Sequence, residues 1–280
     1  MNRAQLIDRI KAKKSFLCVG LDPDMDKIPS CLKATDDPIF HFNRQIIDAT
    51  LPFAVAYKPN TAFYEAYGLK GMLSLKKTID YLKNKDVFTI ADAKRGDIGN
   101  TSARYAKAFL SSDGDFNFDA MTVAPYMGED SVKPFLDIPN KWVVLLALTS
   151  NLGAKDFQFF LGKQEKMAIN APALRLFERV LQVSSTWGNI ENMMYVVGAT
   201  KAESLRSIRQ IIPHHFLLVP GVGAQGGSLE EVCENGIIPG EVGLLINASR
   251  SILYASSEAN FADASMKEAA RMQKQMSQYV

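Results

Sequence analysis

The chain has 280 residues, 47% of them hydrophobic and 22% charged, enough to bury one sizeable core as a single domain over residues 1–280. Thirty-two basic residues against 30 acidic ones leave a net charge of +2, which excludes the broad basic footprint of a nucleic-acid or membrane-surface binder. Cys18, Cys31 and Cys233 are odd in number, widely spaced and make no CxxC pair, so no disulfide framework or thiol metal site is expected.

Residues 1–15, MNRAQLIDRIKAKKS, alternate charge with isolated apolar residues and predict an amphipathic helix with Leu6, Ile7 and Ile10 on one face. They lack a signal-peptide apolar stretch, and no run in the chain approaches the ~18 residues of a membrane span. A reduced, cytoplasmic protein is therefore expected. Eight short apolar runs then alternate with longer helical stretches. Ser15–Leu21 precedes a helix over Asp37–Thr50, Phe53–Pro59 precedes Gly71–Asn84, and Val87–Ala93 precedes Asn100–Ser111. Asp119–Ala124 and Trp142–Leu148 follow, then a helix over Ala171–Thr186. Met193–Gly198 precedes Ala202–Ile212, Phe216–Val219 precedes Ser228–Asn235, and Val242–Asn247 is the last run before a closing helix in Glu258–Val280. The segment from Asn151 to Asn192 is long for one crossover and predicts an extra helix or insertion. Several runs are continuously apolar, as in parallel strands covered on both faces. Eight such βα units fit a closed (β/α)8 barrel of the TIM type best. An open doubly wound sheet is the alternative that periodicity alone does not exclude.

In such a barrel, function lies at the C-terminal ends of the strands. The third run ends Asp92-Ala93-Lys94-Arg95-Gly96-Asp97, with Asp92 and Lys94 two apart and so on one face of an extended strand. Exposed loop salt bridges would look the same, but charge straight after an apolar strand points into the barrel mouth, where it must be paired. Lys58 ends the second run and could equally be a lysine snorkelling at the rim. Asp22 ends the first run in an ordinary Asp-Pro turn. The seventh run leads into Pro220-Gly221-Val222-Gly223-Ala224-Gln225-Gly226-Gly227, and the eighth into Ser249-Arg250. Glycine backbone and a forked guanidinium at these two strand ends predict a phosphate site. Thr149-Ser150 ends the fifth run with small hydrogen-bonding groups. His41, His214 and His215 fit no metal or catalytic spacing, and no HExxH, Walker or dinucleotide motif is present.

Taken in order, Leu21-Asp22-Pro23-Asp24, Tyr57-Lys58-Pro59-Asn60, Asp92-Ala93-Lys94-Arg95-Gly96-Asp97-Ile98, Thr149-Ser150, Pro220–Gly227 and Ser249-Arg250 resemble the orotidine 5′-phosphate decarboxylases, whose DxKxxD signature the third segment matches. The extra length after the fifth run is similar to the longer subgroup of that family. The resemblance implies decarboxylation of orotidine 5′-phosphate to uridine 5′-phosphate, the last step of pyrimidine nucleotide synthesis, without cofactor or metal. It implies that Lys94 is the proton donor and that Asp92 lies beside the substrate carboxylate. Asp22 and Lys58 would hold ribose hydroxyls, Ser150 would meet the pyrimidine, and Pro220 would line the substrate site. Gln225 would bridge phosphate and base, and Arg250 would clamp the phosphate. Asp97, Ile98 and Thr101 would reach the neighbouring subunit's site in a homodimer.

Loss of carbon dioxide from C6 leaves a vinyl-type carbanion with little delocalisation, and no side chain offers a covalent electron sink. Stabilisation must then be electrostatic and preorganised. Lys58, Asp92, Lys94 and Asp97 are expected to form an alternating row of charges that keeps the Lys94 ammonium protonated. The loop Gly221–Gly227 is expected to close over the ligand. The rivals are a magnesium-dependent sugar-phosphate enzyme of the same barrel group, which would place an acidic metal ligand where Lys58 stands, and a non-catalytic nucleotide-phosphate-binding barrel.

Overall fold

The computed structural model describes residues 1–162, 173–223 and 226–280. Eight parallel strands close into a barrel in sequence order: β1 (Leu17–Leu21), β2 (Ala54–Pro59), β3 (Phe88–Arg95), β4 (Ala120–Val123), β5 (Trp142–Leu148), β6 (Met193–Val197), β7 (Phe216–Pro220) and β8 (Leu244–Ala248). Pairing of β8 with β1, through Cys18 opposite Asn247, closes the ring and rules out the open sheet. The strands are buried nearly end to end, which is why they read as unbroken apolar runs.

Crossover helices lie at Pro38–Thr50, Gly68–Leu82, Gly99–Leu110, Glu129–Leu136, Leu176–Ser184, Leu205–Ile211 and Leu229–Gly236. The Glu129–Leu136 helix, between β4 and β5, had no counterpart in the sequence reading, because Pro134 lies inside it. In so short a helix the missing amide of Pro134 removes little of the ladder. Short helices at Ser30–Lys33 and Ala62–Glu65 also escaped the apolar pattern. The expected extra element after β5 is the single turn Ala154–Phe157; residues 171 and 172 of the expected helix lie outside the described residues.

The floor of the barrel is apolar and capped. Trp142 on β5 meets Phe88 on β3 and Phe216 on β7 edge-on, at 6.0 and 6.4 Å between ring centroids. These are alternate strands, so the three rings form one interior layer. The helix Arg3–Lys13, started by an Asn2–Gln5 capping box, buries Leu6 and Ile10 beneath that layer and leaves Ile7 half-buried. Its Arg3 guanidinium stacks 5.0 Å from the Phe216 ring and donates to the carbonyls of Ile190 and His214. The closing helix Phe261–Met276 packs on Pro38–Thr50 through stacked Phe42 and Phe261. The buried rings of Phe88, Trp142 and Phe216 fill the barrel axis at the floor.

Candidate active site

Two adjacent strand ends supply a continuous row of charge. Lys58 on β2 and Lys94 on β3 each place Nζ 2.6 Å from a different carboxylate oxygen of Asp92. Lys58 and Asp92 are nearly fully buried, whereas the Lys94 side chain is 47% exposed at the cavity surface. Burial alone would raise the Asp92 carboxyl; the two ammonium groups outweigh it and hold Asp92 well below the usual carboxylate range. Burial would likewise lower Lys58, yet Asp92 and Asp22 hold it above its ordinary value. The pair is therefore ionised and locked. Beneath it, burial pushes the Cys18 thiol up to about 12, so Cys18 is a neutral part of the packing.

Lys94 does not reach Asp92 by simple strand alternation. The β3–β4 register shifts between Ala91 and Arg95, and Lys94 takes a left-handed backbone at φ +48°. That conformation costs about 1–2 kcal/mol in a non-glycine residue. Thr122 on β4 holds it: its Oγ1 accepts the Lys94 N–H at 2.9 Å and donates to Asp92 Oδ1 at 3.0 Å. The bulge re-aims the lysine into the mouth. Thr122 was not singled out in the sequence, where a threonine in a strand reads as a plain β-former.

The fourth expected member of the row stands apart. Asp97 accepts the N–H of Ile98 at 2.7 Å and forms no ion pair among the described residues. Ile98 is 59% exposed and Thr101 half-buried on the same surface. Within one chain the row is thus Lys58–Asp92–Lys94.

Two connected hollows flank this row, sharing Lys58, Asp92 and Pro220. One, about 370 Å³, is lined by Lys94, Thr122, Ser150 and the apolar Leu146, Val196 and Leu218, which suits a flat heterocycle. Gly198 lets β6 approach here, since a Cβ on it would lie 2.8 Å from the Ser150 backbone. Gln158, also absent from the sequence reading, fixes this edge by accepting the Thr149 N–H and donating to Thr149 Oγ1, both at 2.8 Å.

The other hollow, about 380 Å³, holds Asp22, Gly221, Asn247, Ser249 and Arg250. The Arg250 guanidinium has no hydrogen-bond or ion-pair partner among the described residues and is exposed, as an anion clamp requires. Gly20 is obligatory beside it: a Cβ there would fall 1.8 Å from Ser249 Oγ. Gly221 and Gly223, both at positive φ, open the β7 loop. Gln225 lies outside the described residues. Tyr254 ties the β1 loop down, accepting the Asp24 N–H and donating to the Asp22 carbonyl.

A hollow for a planar ring, a hollow for an anion and a fixed cation–anion–cation row between them can hold a nucleotide and stabilise negative charge. The comparisons point the same way. The description of the orotidine 5′-phosphate decarboxylase / HUMPS family matches residues 15–264. A relative from Flavobacterium johnsoniae named orotidine 5′-phosphate decarboxylase is 56% identical, covering 100% of this chain and 98% of its own. One of the same name from Christiangramia forsetii is 58% identical, covering 99% and 97%. Among solved structures, the Leishmania donovani OMP decarboxylase matches with a TM-score of 0.77 at 32% identity, over 98% of this chain and 100% of that one.

Proposed function

The chain belongs to the orotidine 5′-phosphate decarboxylase / HUMPS family, and from that premise we propose how it decarboxylates orotidine 5′-phosphate to uridine 5′-phosphate, the closing reaction of UMP synthesis. The observation that carries the mechanism is the Lys58–Asp92–Lys94 row, with both Asp92 oxygens occupied by ammonium groups at 2.6 Å. A carboxylate so engaged has no free edge for a metal ion, which favours the decarboxylase over the magnesium-dependent rival. The catalysed reaction also sets aside a purely binding role.

The pyrimidine occupies the hollow of Ser150, Thr122 and Leu218, with C6 facing Lys94. The phosphate lies on Arg250 and the amides of the Gly221 and Ser249 loops, with Pro220 lining the site; Gln225, which the family resemblance assigns to bridging phosphate and base, lies outside the described residues. Asp22 and Lys58 hold the ribose. The C6–carboxylate bond breaks heterolytically: carbon dioxide departs, and the electron pair stays on C6 in the ring plane. The Lys94 ammonium, already fixed by Asp92 and the Thr122-braced backbone, stabilises that pair without reorganisation and gives its proton to C6. The neutral amine regains a proton from solvent. Asp92, held ionised, sets its charge against the departing carboxylate. No cofactor or metal takes part.

The exposed apolar residues Ile98, Tyr126 and Met127 lie in the segments that follow β3 and β4. Their burial against a second copy would bring Asp97, Ile98 and Thr101 to the partner's site, giving a homodimer with shared sites. We place the enzyme in the cytoplasm as one barrel domain; no described helix is long and apolar enough to cross a membrane. The test is ultraviolet-monitored turnover of orotidine 5′-phosphate with chelator present. Full activity is expected, and loss of activity restored by magnesium would favour the rival. Mixing inactive Asp97→Ala with inactive Lys94→Ala subunits should restore part of the activity, whereas no recovery after demonstrated subunit exchange would refute shared sites.

A further inference from the structure

β8 is apolar from Leu244 to Ala248 but for one carboxamide, Asn247. Strand pairing sets it opposite Cys18 on β1 and Pro220 on β7, and it lines the same hollow as Asp22, Lys58 and Asp92. It is 9% exposed. Its Nδ2 reaches Ser249 Oγ only at 3.4 Å, and its Oδ1 is buried with no hydrogen-bond partner among the described residues. A buried, unpaired acceptor is destabilising, so its retention at a cavity wall points to a donor supplied by a ligand.

Among the described residues, one other buried side-chain oxygen in this hollow lacks a partner: Asp22 Oδ1. Two acceptors on one hollow call for two donors. A phosphate dianion offers none. The pyrimidine offers a single N3–H, and the ring hollow, with Ser150, does not include Asn247. The ribose offers two vicinal hydroxyls. On the reading that this site holds a ribonucleotide, we infer that Asn247 is a ribose-recognition residue, its Oδ1 accepting from one sugar hydroxyl beside Asp22. A carboxamide suits the position better than a carboxylate would. It adds an acceptor without a further anion next to Asp22 and Asp92, where the substrate already brings a carboxylate and a phosphate. Asn247 then contributes to selection of ribo- over deoxyribonucleotides.

The test is calorimetric binding of uridine 5′-phosphate, its 2′,3′-dideoxy analogue and ribose 5-phosphate to the full chain and to Asn247→Ala. Loss of one neutral hydrogen bond should weaken uridine 5′-phosphate and ribose 5-phosphate by about five- to tenfold. Affinity for the dideoxy analogue should stay within about twofold, since it has no hydroxyl to lose. Equal weakening of all three ligands, or of none, would overturn the inference. Asn247→Val, better suited to a strand, carries the same comparison if the alanine variant does not fold. Because binding is read without turnover, this result stands apart from the catalytic reading: an inactive wild-type chain would refute the latter alone.

Discussion

The two ends of the barrel treat buried charge in opposite ways. At the floor, the chain satisfies its own cations. Arg3 is spent on the carbonyls of Ile190 and His214 and on Glu241; Arg209 donates to the carbonyls of Ile212, His215, Gly236 and Gly243; Lys141 donates to Asn117 and the Phe118 carbonyl. At the mouth, Asp22, Asn247 and Arg250 are left with unused hydrogen-bonding capacity, and Lys94 is held in a left-handed conformation. Cavity size does not follow this division. A hollow of about 680 Å³, lined by Met1, Arg9, Asp86, Thr89, Asp119 and Lys141, lies at the floor and exceeds either hollow at the mouth. Two of its cations are already engaged, Arg9 by Asp86 and the Met1 amine by Asp119. Volume therefore does not mark the reactive end; the ionised Lys58–Asp92–Lys94 row with the unpaired acceptors of Asp22 and Asn247 beside it does, although Arg9 Nε and both His215 ring nitrogens also lack partners at the floor among the described residues.

The sharpest way to break this contrast is Lys94→Ala. It should lower kcat by at least ~10⁴-fold, combining lost proton donation with lost charge stabilisation. The midpoint of thermal unfolding should fall slightly, because the buried Asp92 carboxylate loses one of its two ammonium partners while alanine keeps the same left-handed backbone strain. Retained turnover would remove Lys94 from the mechanism. Arg250→Ala should raise KM by about 10²-fold with a smaller change in kcat, as expected for a charge-assisted clamp on a remote phosphate. A fall in kcat alone would move Arg250 from binding to chemistry.

Two measurements at the floor sharpen the other side. His215 is buried with both ring nitrogens unpaired among the described residues, and burial, then Arg3 and Arg209, push it down to about 4. Above pH 6.5 it is neutral in both folded and unfolded chains, and stability is full. As pH falls from 6.5 towards 4 the unfolded chain takes up the proton and the folded one does not, so about 2–3 kcal/mol should be lost across that window. Denaturant titrations at pH 7 and 4.5 on wild type and His215→Phe check this; equal pH dependence in both would contradict it. Arg3→Ala should cost about 2 kcal/mol by stranding buried carbonyls, with kcat/KM unchanged in the folded fraction. A large loss of kcat/KM would show that the floor is coupled to the mouth.

The sequence makes the barrel legible because strands buried on both faces must be apolar throughout, and Leu17–Leu21 or Trp142–Leu148 cannot be mistaken for loops. The charged strand ends are equally visible, since Lys58, Asp92 and Lys94 interrupt those runs. What sequence does not display is tertiary register. The bulge that turns Lys94 inwards arises from how β3 pairs with β4, and Thr122 matters only because of that slip. The separation of Asp97 from the row is likewise a property of the loop path after β3 rather than of the DxKxxD spacing. Asn247 does carry a signal, one amide in an otherwise apolar strand, but a lone polar residue two steps before Ser249-Arg250 reads as the start of that polar strand end.

The most direct test is a crystal structure of the wild-type chain with uridine 5′-phosphate at neutral pH. The Lys94 Nζ should lie within roughly 3.5 Å of C6, a distance suited to proton transfer, while keeping its contact with Asp92. An ammonium turned away from the ring, with Asp92 paired to Lys58 alone, would contradict the account.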